Sequence, residues 1–362
     1  MTKRTPSMRH LMTRAKMNRR QALTGIAAVG ITLNAPRARA AGQVNFYNWD
    51  TYIGETTLSD FTAATGMDVQ YDLFADNDEL FAKLKNGNPG YDLIVPTNDY
   101  VERMIVADML EPLDHSKIPN MANLDKNFLD PAFDPGRKVS LPYMWGTIGV
   151  GYRKSRVDGV PSSWADLYTS DKYAGKIAML SDGANVFGSA LKLMGKSLND
   201  WTDENIAAAE AMVIAQKPRI TAFAPDNGQD LLLAGEVDLA MEWNGDILQA
   251  MDEDDDIGFV VPEEGGLLWE DTLAIPKGGP NPEGAHTLIN FLLDAEVGKD
   301  LAEYIYYATP NAAAKALTED AYRTNPAIFP PDATIARCET AIYPGQEIVG
   351  KIDAAWTRVK AA

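Results

Sequence analysis

The chain has 362 residues, of which 46% are hydrophobic and 23% are charged, and this composition is typical of a folded globular protein rather than a disordered or collagen-like one. Its single cysteine, Cys338, and its three widely separated histidines exclude an intrachain disulfide, a metal site built on several thiolates and histidine-rich metal motifs. Residues 1–40 hold nine lysines or arginines and no acid, so the rest of the chain carries 24 basic and 51 acidic residues, which disfavours nucleic acid and favours cationic partners.

Residues 1–40 are predicted to form an export signal. The paired arginines Arg19 and Arg20 precede a charge-free, mostly apolar stretch, 22–35, and Ala38-Arg39-Ala40 then has the A-x-A pattern of a leader-peptidase site. The 14-residue apolar stretch is shorter than the roughly 20 residues that a spanning helix needs. The paired arginines favour the twin-arginine class, with a general secretory signal as the alternative. We therefore expect cleavage near Ala40 and a periplasmic mature chain.

Strands and helices alternate in the first part of the mature chain. Apolar and β-branched runs predict strands, and apolar residues at helical spacing predict helices. The predicted strands are 44–49, 69–73 and 91–95, and the predicted helices are about 58–65, 77–84 and 100–107. Asp76 or Asn77 is a candidate helix cap, and Gly66 is a candidate helix end. Such alternation indicates a mostly parallel sheet covered by helices.

The same pattern repeats after Trp145. Strands are predicted at 176–180, 220–223, 237–243, 259–261 and 273–275, and helices at 186–194, 229–234 and 285–293. Two α/β lobes are the simplest account of this repetition. Ligands of open α/β sheets bind beyond the carboxyl ends of the strands, so we expect the functional residues directly after the strands.

Carboxylates and tryptophans recur at these strand ends. The segments are Trp49-Asp50-Thr51-Tyr52, Thr97-Asn98-Asp99-Tyr100, Ser181-Asp182-Gly183, Trp243-Asn244-Gly245-Asp246 and Trp269-Glu270-Asp271. Aromatic faces attract ammonium groups, and carboxylates pair with them by charge-assisted hydrogen bonds. Each aspartate could instead be a helix cap, and each tryptophan a core residue. Their joint recurrence favours one shared site for an elongated cation with apolar methylenes.

Short segments along nearly the whole mature chain resemble one known family. They are Tyr47-Asn48-Trp49, 91–96 (YDLIVP), 142–146 (PYMWG), Trp243-Asn244-Gly245, Glu264-Gly265-Gly266, Ala274-Ile275-Pro276, 288–293 (LINFLL) and Thr309-Pro310-Asn311. These segments are similar to those of the periplasmic spermidine/putrescine-binding proteins of ABC importers. The resemblance implies a two-lobed periplasmic-binding-protein fold of type II, with crossings near Trp145-Gly146 and near Trp269. It implies one lobe from 41–146 plus 270–315 and a second from 147–269 plus 316–362.

The resemblance also implies which residues hold a polyamine in the cleft between the lobes. By motif position the rings are Trp49, Tyr52, Trp243, Trp269 and Tyr307. Asp182 and Asp271 match acidic positions that hold amine nitrogens, and Thr97 matches a small hydroxyl position. The ligand would pass to the membrane permease of an ABC importer, and a monomer is expected.

Five positions depart from the family's patterns. Asp99 stands where the spermidine type has an aromatic residue, and Asn185 stands where it has a second acid. Asp246 resembles the acid of the putrescine type, whereas Asp50 and Thr51 fit neither type. The charge is thus displaced rather than lost, so an amine ligand is expected, and a short diamine should bind at least as well as spermidine.

Two other functions stay open on the sequence alone. One is a receptor of the same fold for another amine-bearing ligand or a metal. The other is a glycosidase that uses two carboxylates, because acidic clefts lined by tryptophan also bind sugars. The preferred interpretation is a binding protein with no catalytic residue, no metal site, no cofactor and no nucleic-acid partner.

Overall fold

A computed structural model of the chain describes residues 42–225 and 227–362. The predicted export signal, residues 1–40, lies outside the described residues. Within them, no helix is long and apolar enough to cross a membrane.

The described residues contain ten strands and fourteen α-helices. The strands are β1 (Gln43–Trp49), β2 (Asp68–Phe74), β3 (Leu93–Ile94), β4 (Ser140–Arg153), β5 (Ile177–Leu180), β6 (Ile220–Ala224), β7 (Leu239–Trp243), β8 (Ile257–Val260), β9 (Leu267–Ala274) and β10 (Glu339–Thr340). The helices are α1 (Thr57–Thr65), α2 (Asn77–Lys85), α3 (Asn98–Val106), α4 (Ala165–Tyr168), α5 (Gly183–Leu193), α6 (Asp203–Gln216), α7 (Gly228–Leu233), α8 (Asn244–Glu253), α9 (Pro282–Leu292), α10 (Ala295–Ile305), α11 (Ala312–Leu317), α12 (Asp320–Arg323), α13 (Asp332–Ile335) and α14 (Gln346–Ala361). Short 3₁₀ helices cover His115–Lys117, Pro119–Asn123, Lys126–Phe128 and Lys217–Arg219.

The strands form one sheet in the order β2-β1-β3-β9-β4-β7-β5-β6, with β10 beside β9 and β8 beside β4. Strands β2, β1 and β3 are mutually parallel, and so are β7, β5 and β6. Between these two parallel groups lie β9 and β4, which pair antiparallel with each other; β9 is also antiparallel to β3, and β4 to β7. Two predicted crossing points, Gly146 and Trp269, are direct partners on these two strands.

Local sequence signals explain where the first elements begin and end. Helix α1 ends at Gly66, whose φ of 72° is left-handed and costs glycine little because it has no Cβ. Helix α2 begins after Asp76, whose carboxylate accepts a hydrogen bond from the amide of Glu79 at 2.7 Å. Both features agree with the prediction.

The long strand β4 forms the centre of the core. Nearly all of its residues are buried, because it pairs with β9 along its first part and with β7 and β8 along its second. Leu141, Ile148 and Val150 are among its buried apolar side chains. Pro142, Gly146, Gly149 and Gly151 interrupt the apolar residues of this segment, and proline and glycine are depleted in strands, which is why the sequence pattern did not predict a strand here.

Two predicted strands differ from the structure. The predicted strand 91–95 is reduced to Leu93–Ile94, because the Asn88 side chain binds the amide and carbonyl of Tyr91 in a turn. Trp269 and Asp271 were predicted to lie beyond a strand end, yet both lie inside the continuous strand β9. Pairing with β4 extends through this segment and carries the strand past them.

Candidate functional site

Two adjoining cavities lie where the strands of both parallel groups end. The larger has a volume of about 460 Å³ and the smaller about 40 Å³. Trp49, Thr97, Trp243 and Trp269 line both of them. Because these residues lie at or just beyond the ends of β1, β3 and β7 or in β9, the two groups of strands contribute to one site, as expected for an α/β sheet.

The structure brings most of the predicted site residues together. The smaller cavity is lined by Trp49, Asp50, Tyr52, Thr97, Trp243, Asp246, Trp269, Asp271 and Tyr307. The larger adds the predicted residues Asp99, Asp182 and Asn185. Thr51 lines neither cavity and sits in an exposed turn with a left-handed φ of 49°. Lysine and arginine are absent from the described residues around the smaller cavity, which we call the aromatic box.

The rings of the aromatic box pack edge to face. The ring centre of Trp269 is 5.5 Å from that of Trp243 and 5.2 Å from that of Tyr307. The ring centres of Tyr52 and Tyr307 are also 5.2 Å apart. Gly245 lies directly against the Tyr307 ring, and any Cβ at this position would collide with it. The box therefore depends on a glycine at the start of α8.

Hydrogen bonds fix one of these rings and the backbone of another. The indole N–H of Trp49 donates to the carbonyl of Val95 at 2.9 Å. The backbone carbonyl of Tyr52 accepts from the Asn48 side-chain amide at 3.1 Å and from the Tyr143 hydroxyl at 2.7 Å. The first bond orients the Trp49 ring, and the other two hold the Tyr52 backbone.

Asp271 is the buried acid of the box. Its carboxylate accepts a hydrogen bond from the Thr97 hydroxyl at 2.7 Å, and that hydroxyl accepts one from the Asn77 amide at 2.8 Å. Burial raises the pKa of Asp271 to about 7, although the hydrogen bond from Thr97 acts in the opposite direction. An ammonium beside this carboxylate would favour its ionised form.

Two further acids, Asp246 and Asp50, complete the aromatic box. Asp246 is buried in the first turn of α8. Asp50 is exposed at the rim, where its carboxylate accepts a hydrogen bond from the amide of Thr51 at 2.9 Å. The box thus has carboxylates at several points around its rings.

Asp99 and Asp182 extend the acidic lining into the larger cavity. Desolvation raises the pKa of Asp99 to about 7 and that of Asp182 to about 6, and neighbouring carboxylates raise both pKa values further. The Asp182 side chain is exposed to solvent and also caps α5, because its carboxylate accepts a hydrogen bond from the backbone amide of Asn185 at 2.9 Å. Capping and a place in the cavity are thus compatible. The neighbouring Asp78 is instead paired with Arg103 at 3.0 Å.

Sequence reasoning missed several contributors to the site, of which Asn77 and the segment 341–344 are two. Asn77 was considered only as a helix cap, but its side chain bonds both the hydroxyl and the amide of Thr97. The segment 341–344 lines the larger cavity and is held against α3, since Asn98 donates to the carbonyl of Ala341 at 2.6 Å. Only the juxtaposition of β3 with α2 could have pointed to Asn77. The segment 341–344 has no pattern of its own.

Among the described residues, no group of three or more histidine, cysteine, aspartate or glutamate side chains is placed to hold a metal ion. The aspartates of the site are distributed along the two cavities. This spacing suits several separate cationic groups better than one ion.

Comparisons with known proteins show which proteins this chain is similar to. The family model of bacterial extracellular solute-binding proteins matches residues 56–330. The chain is 38% identical to the spermidine/putrescine-binding periplasmic protein of Escherichia coli, over 88% of this chain and 91% of that protein. It is 32% identical to the putrescine/cadaverine-binding protein of Pseudomonas aeruginosa, over 90% of this chain and 96% of that protein.

A solved structure supports the fold. The spermidine/putrescine ABC transporter substrate-binding protein PotD of Streptococcus pneumoniae superimposes with a TM-score of 0.77 and 32% identity, over 89% of this chain and 99% of that one. The predicted α/β fold of the periplasmic binding proteins of type II is therefore confirmed.

Proposed function

The chain belongs to the bacterial extracellular solute-binding proteins, and we propose that it captures a polyamine of the putrescine or spermidine class and delivers it to the membrane permease of an ABC importer. The relatives named for these ligands support the proposal. Its function is thus binding and transfer, without chemical change of the ligand.

The composition of the aromatic box is the observation that carries this proposal. Its described lining consists of five aromatic rings, three aspartates and one threonine. Rings can cover the methylenes of a polyamine and also attract its ammonium groups, while the carboxylates pair with those groups. An anion-binding site would need basic groups, and the described lining of the aromatic box has no lysine or arginine.

The ligand would lie along the acids. Asp271 and Asp246 are suited to hold ammonium groups within the box, between the rings of Trp269, Trp243 and Tyr307. A longer polyamine would continue toward Asp99 and Asp182 in the larger cavity. Because Asn185 replaces an acid there, we retain the prediction that a short diamine binds at least as well as spermidine.

Export and closure belong to the same proposal. We infer that residues 1–40 are a twin-arginine-like signal removed near Ala40, and that the protein acts as a monomer in the periplasm. We further propose that the lobes 41–146 plus 270–315 and 147–269 plus 316–362 close around the ligand. Small-angle scattering should then show a smaller radius of gyration with putrescine than without it.

Calorimetry with putrescine and spermidine tests the proposed ligand. Replacing Asp271→Asn removes the charge while keeping the shape, and should weaken binding by about 2 to 5 kcal/mol, the cost of breaking a buried charge pair. Asp68→Asn, an exposed position at the far end of β2, is the matched control and should bind like the wild type. Wild-type affinity in Asp271→Asn, or no binding of either amine by the wild type, would contradict the proposal.

A further inference from the structure

A buried ion pair lies behind strand β9, on the side away from the aromatic box. We propose that Glu270, anchored by Arg137, is a positioning residue that fixes Trp269 and Asp271 for ligand binding. This inference rests on the proposed function, because Trp269 and Asp271 are the residues proposed to hold the amine.

The alternation of side chains along β9 explains how the Arg137–Glu270 ion pair can act on the binding residues. Trp269 and Asp271 both line the aromatic box, and Glu270 stands between them. Successive side chains of a strand point to opposite faces, so Glu270 points away from the box. Its carboxylate meets the Arg137 guanidinium at 2.6 Å. Any movement of Glu270 would shift the backbone that carries both binding residues.

Arg137 is itself held in place. Its side chain is fully buried, and its Nε donates to the carbonyl of Phe128 at 2.6 Å. Its guanidinium lies 5.2 Å from the centre of the Phe133 ring, in the range of a cation–π contact. Its backbone has a φ of 53°, which residues with a Cβ rarely adopt.

The loop around Arg137 is equally well anchored. The carboxylate of Asp134 accepts hydrogen bonds from the amides of Lys138, Val139 and Ser140 and from the Ser140 hydroxyl, all between 2.8 and 3.1 Å. The ion pair therefore connects β9 to a loop that is itself held by several hydrogen bonds.

A second contact supports the same stretch of β9 from the other side. The amide of Glu270 donates to the Asn98 side chain at 3.2 Å, and Asn98 lies one residue after Thr97, which binds Asp271. Glu270 is thus held through its side chain by Arg137 and through its backbone by α3. The binding residues on either side of it have little freedom to move.

A double-mutant cycle tests whether Glu270 acts through Asp271. In the otherwise wild-type protein, Glu270→Ala should weaken putrescine binding by about tenfold, a coupling typical of residues in one network. In the Asp271→Asn protein, the same change should weaken the remaining binding by less than about threefold. A role in stability alone predicts unchanged affinity in both backgrounds, or equal losses, and either result would overturn the proposal.

Glu270→Gln provides a rescue and a second readout. Glutamine keeps an acceptor for Arg137, so this variant should bind putrescine more tightly than Glu270→Ala at pH 8. The charged groups facing this region are Arg137 and Asp134 around Glu270, and Glu270 and Asp99 around Asp271. Glu270→Gln removes a negative charge near Asp271 and leaves the positive charge of Arg137 without its partner. Both effects favour the ionised form of Asp271 and so lower its pKa.

The pH at which putrescine binding is half lost should therefore be lower in Glu270→Gln than in the wild type. An unchanged midpoint, together with Glu270→Ala binding like the wild type, would refute the positioning role. If Glu270→Ala does not fold, the glutamine variant alone decides. Failure of the wild type to bind any di- or triamine would instead refute the proposed function.

Discussion

Lowering the pH should weaken amine binding in a manner set by the buried acids of the site. The amine groups of a polyamine, like lysine, titrate near pH 10, so the ligand stays cationic between pH 5 and 8. Asp271 and Asp99 have pKa values raised to about 7, and Asp182 to about 6. In this range the proton competes with the ligand for the same carboxylates.

The magnitude of the effect is set by the pKa of Asp271. A carboxyl group with a pKa near 7 is about 90% ionised at pH 8 and about 1% ionised at pH 5. If the bound ammonium keeps Asp271 ionised down to pH 5, its proton must be displaced on binding, and affinity falls by about 100-fold over this range. Proton binding to Asp99 and Asp182 would add to the loss for a longer polyamine.

Isothermal titration with putrescine at pH 5, 6, 7 and 8 measures this dependence. Repeating the pH 6 titration in buffers of different ionisation enthalpy should show that protons are released on binding. The Asp271→Asn variant should bind weakly and lose most of the pH dependence. A dissociation constant that stays constant from pH 5 to 8 in the wild type would refute the assignment of Asp271 as an amine partner.

Three other results are expected. The raised pKa values of Asp271, Asp99 and Glu270 mean that the folded state binds more protons than the unfolded state at these groups. Lowering the pH from 8 to 5.5 protonates them and removes the cost of burying their charges, so the melting temperature of the ligand-free protein should rise. A fall in the melting temperature would contradict these pKa shifts. Gly245→Ala should displace the Tyr307 ring and weaken putrescine binding at least about tenfold, as a misplaced binding group does, whereas Gly350→Ala, in open space on α14, should bind normally in the same calorimetric assay. Trp269→Ala should cost about 1 to 2 kcal/mol of binding free energy through loss of one aromatic wall, and an affinity equal to that of the wild type would place the ligand elsewhere.

Much of the site could be predicted because its residues lie at the ends of strands that are recognisable locally. Trp49, Thr97, Asp182 and Trp243 lie at or just beyond the ends of strands whose apolar runs are evident in the sequence. Within each parallel group the carboxyl ends of the strands lie at the same edge, so residues at the strand ends come to line one site.

The remaining features depend on contacts between distant parts of the chain. Nothing near Arg137 in the sequence indicates that it pairs with Glu270, since the two residues are 133 positions apart and meet only in the folded chain. The burial that raises the pKa of Asp271 is likewise a property of the assembled cavity. Asp99 illustrates the limit most clearly: its sequence position fits a helix start, and only the structure places its carboxyl in the cavity.

The two tasks of Asp182 bear on how this site could change during evolution. One oxygen of its carboxylate caps α5, and the residue also faces the larger cavity. Asparagine, serine and threonine cap helices nearly as well as aspartate, so each could replace it without loss of the helix start. Such a replacement would remove one negative charge from the ligand's path while leaving the fold intact. Single substitutions at Asp182 can therefore change the ligand preference without destabilising the fold.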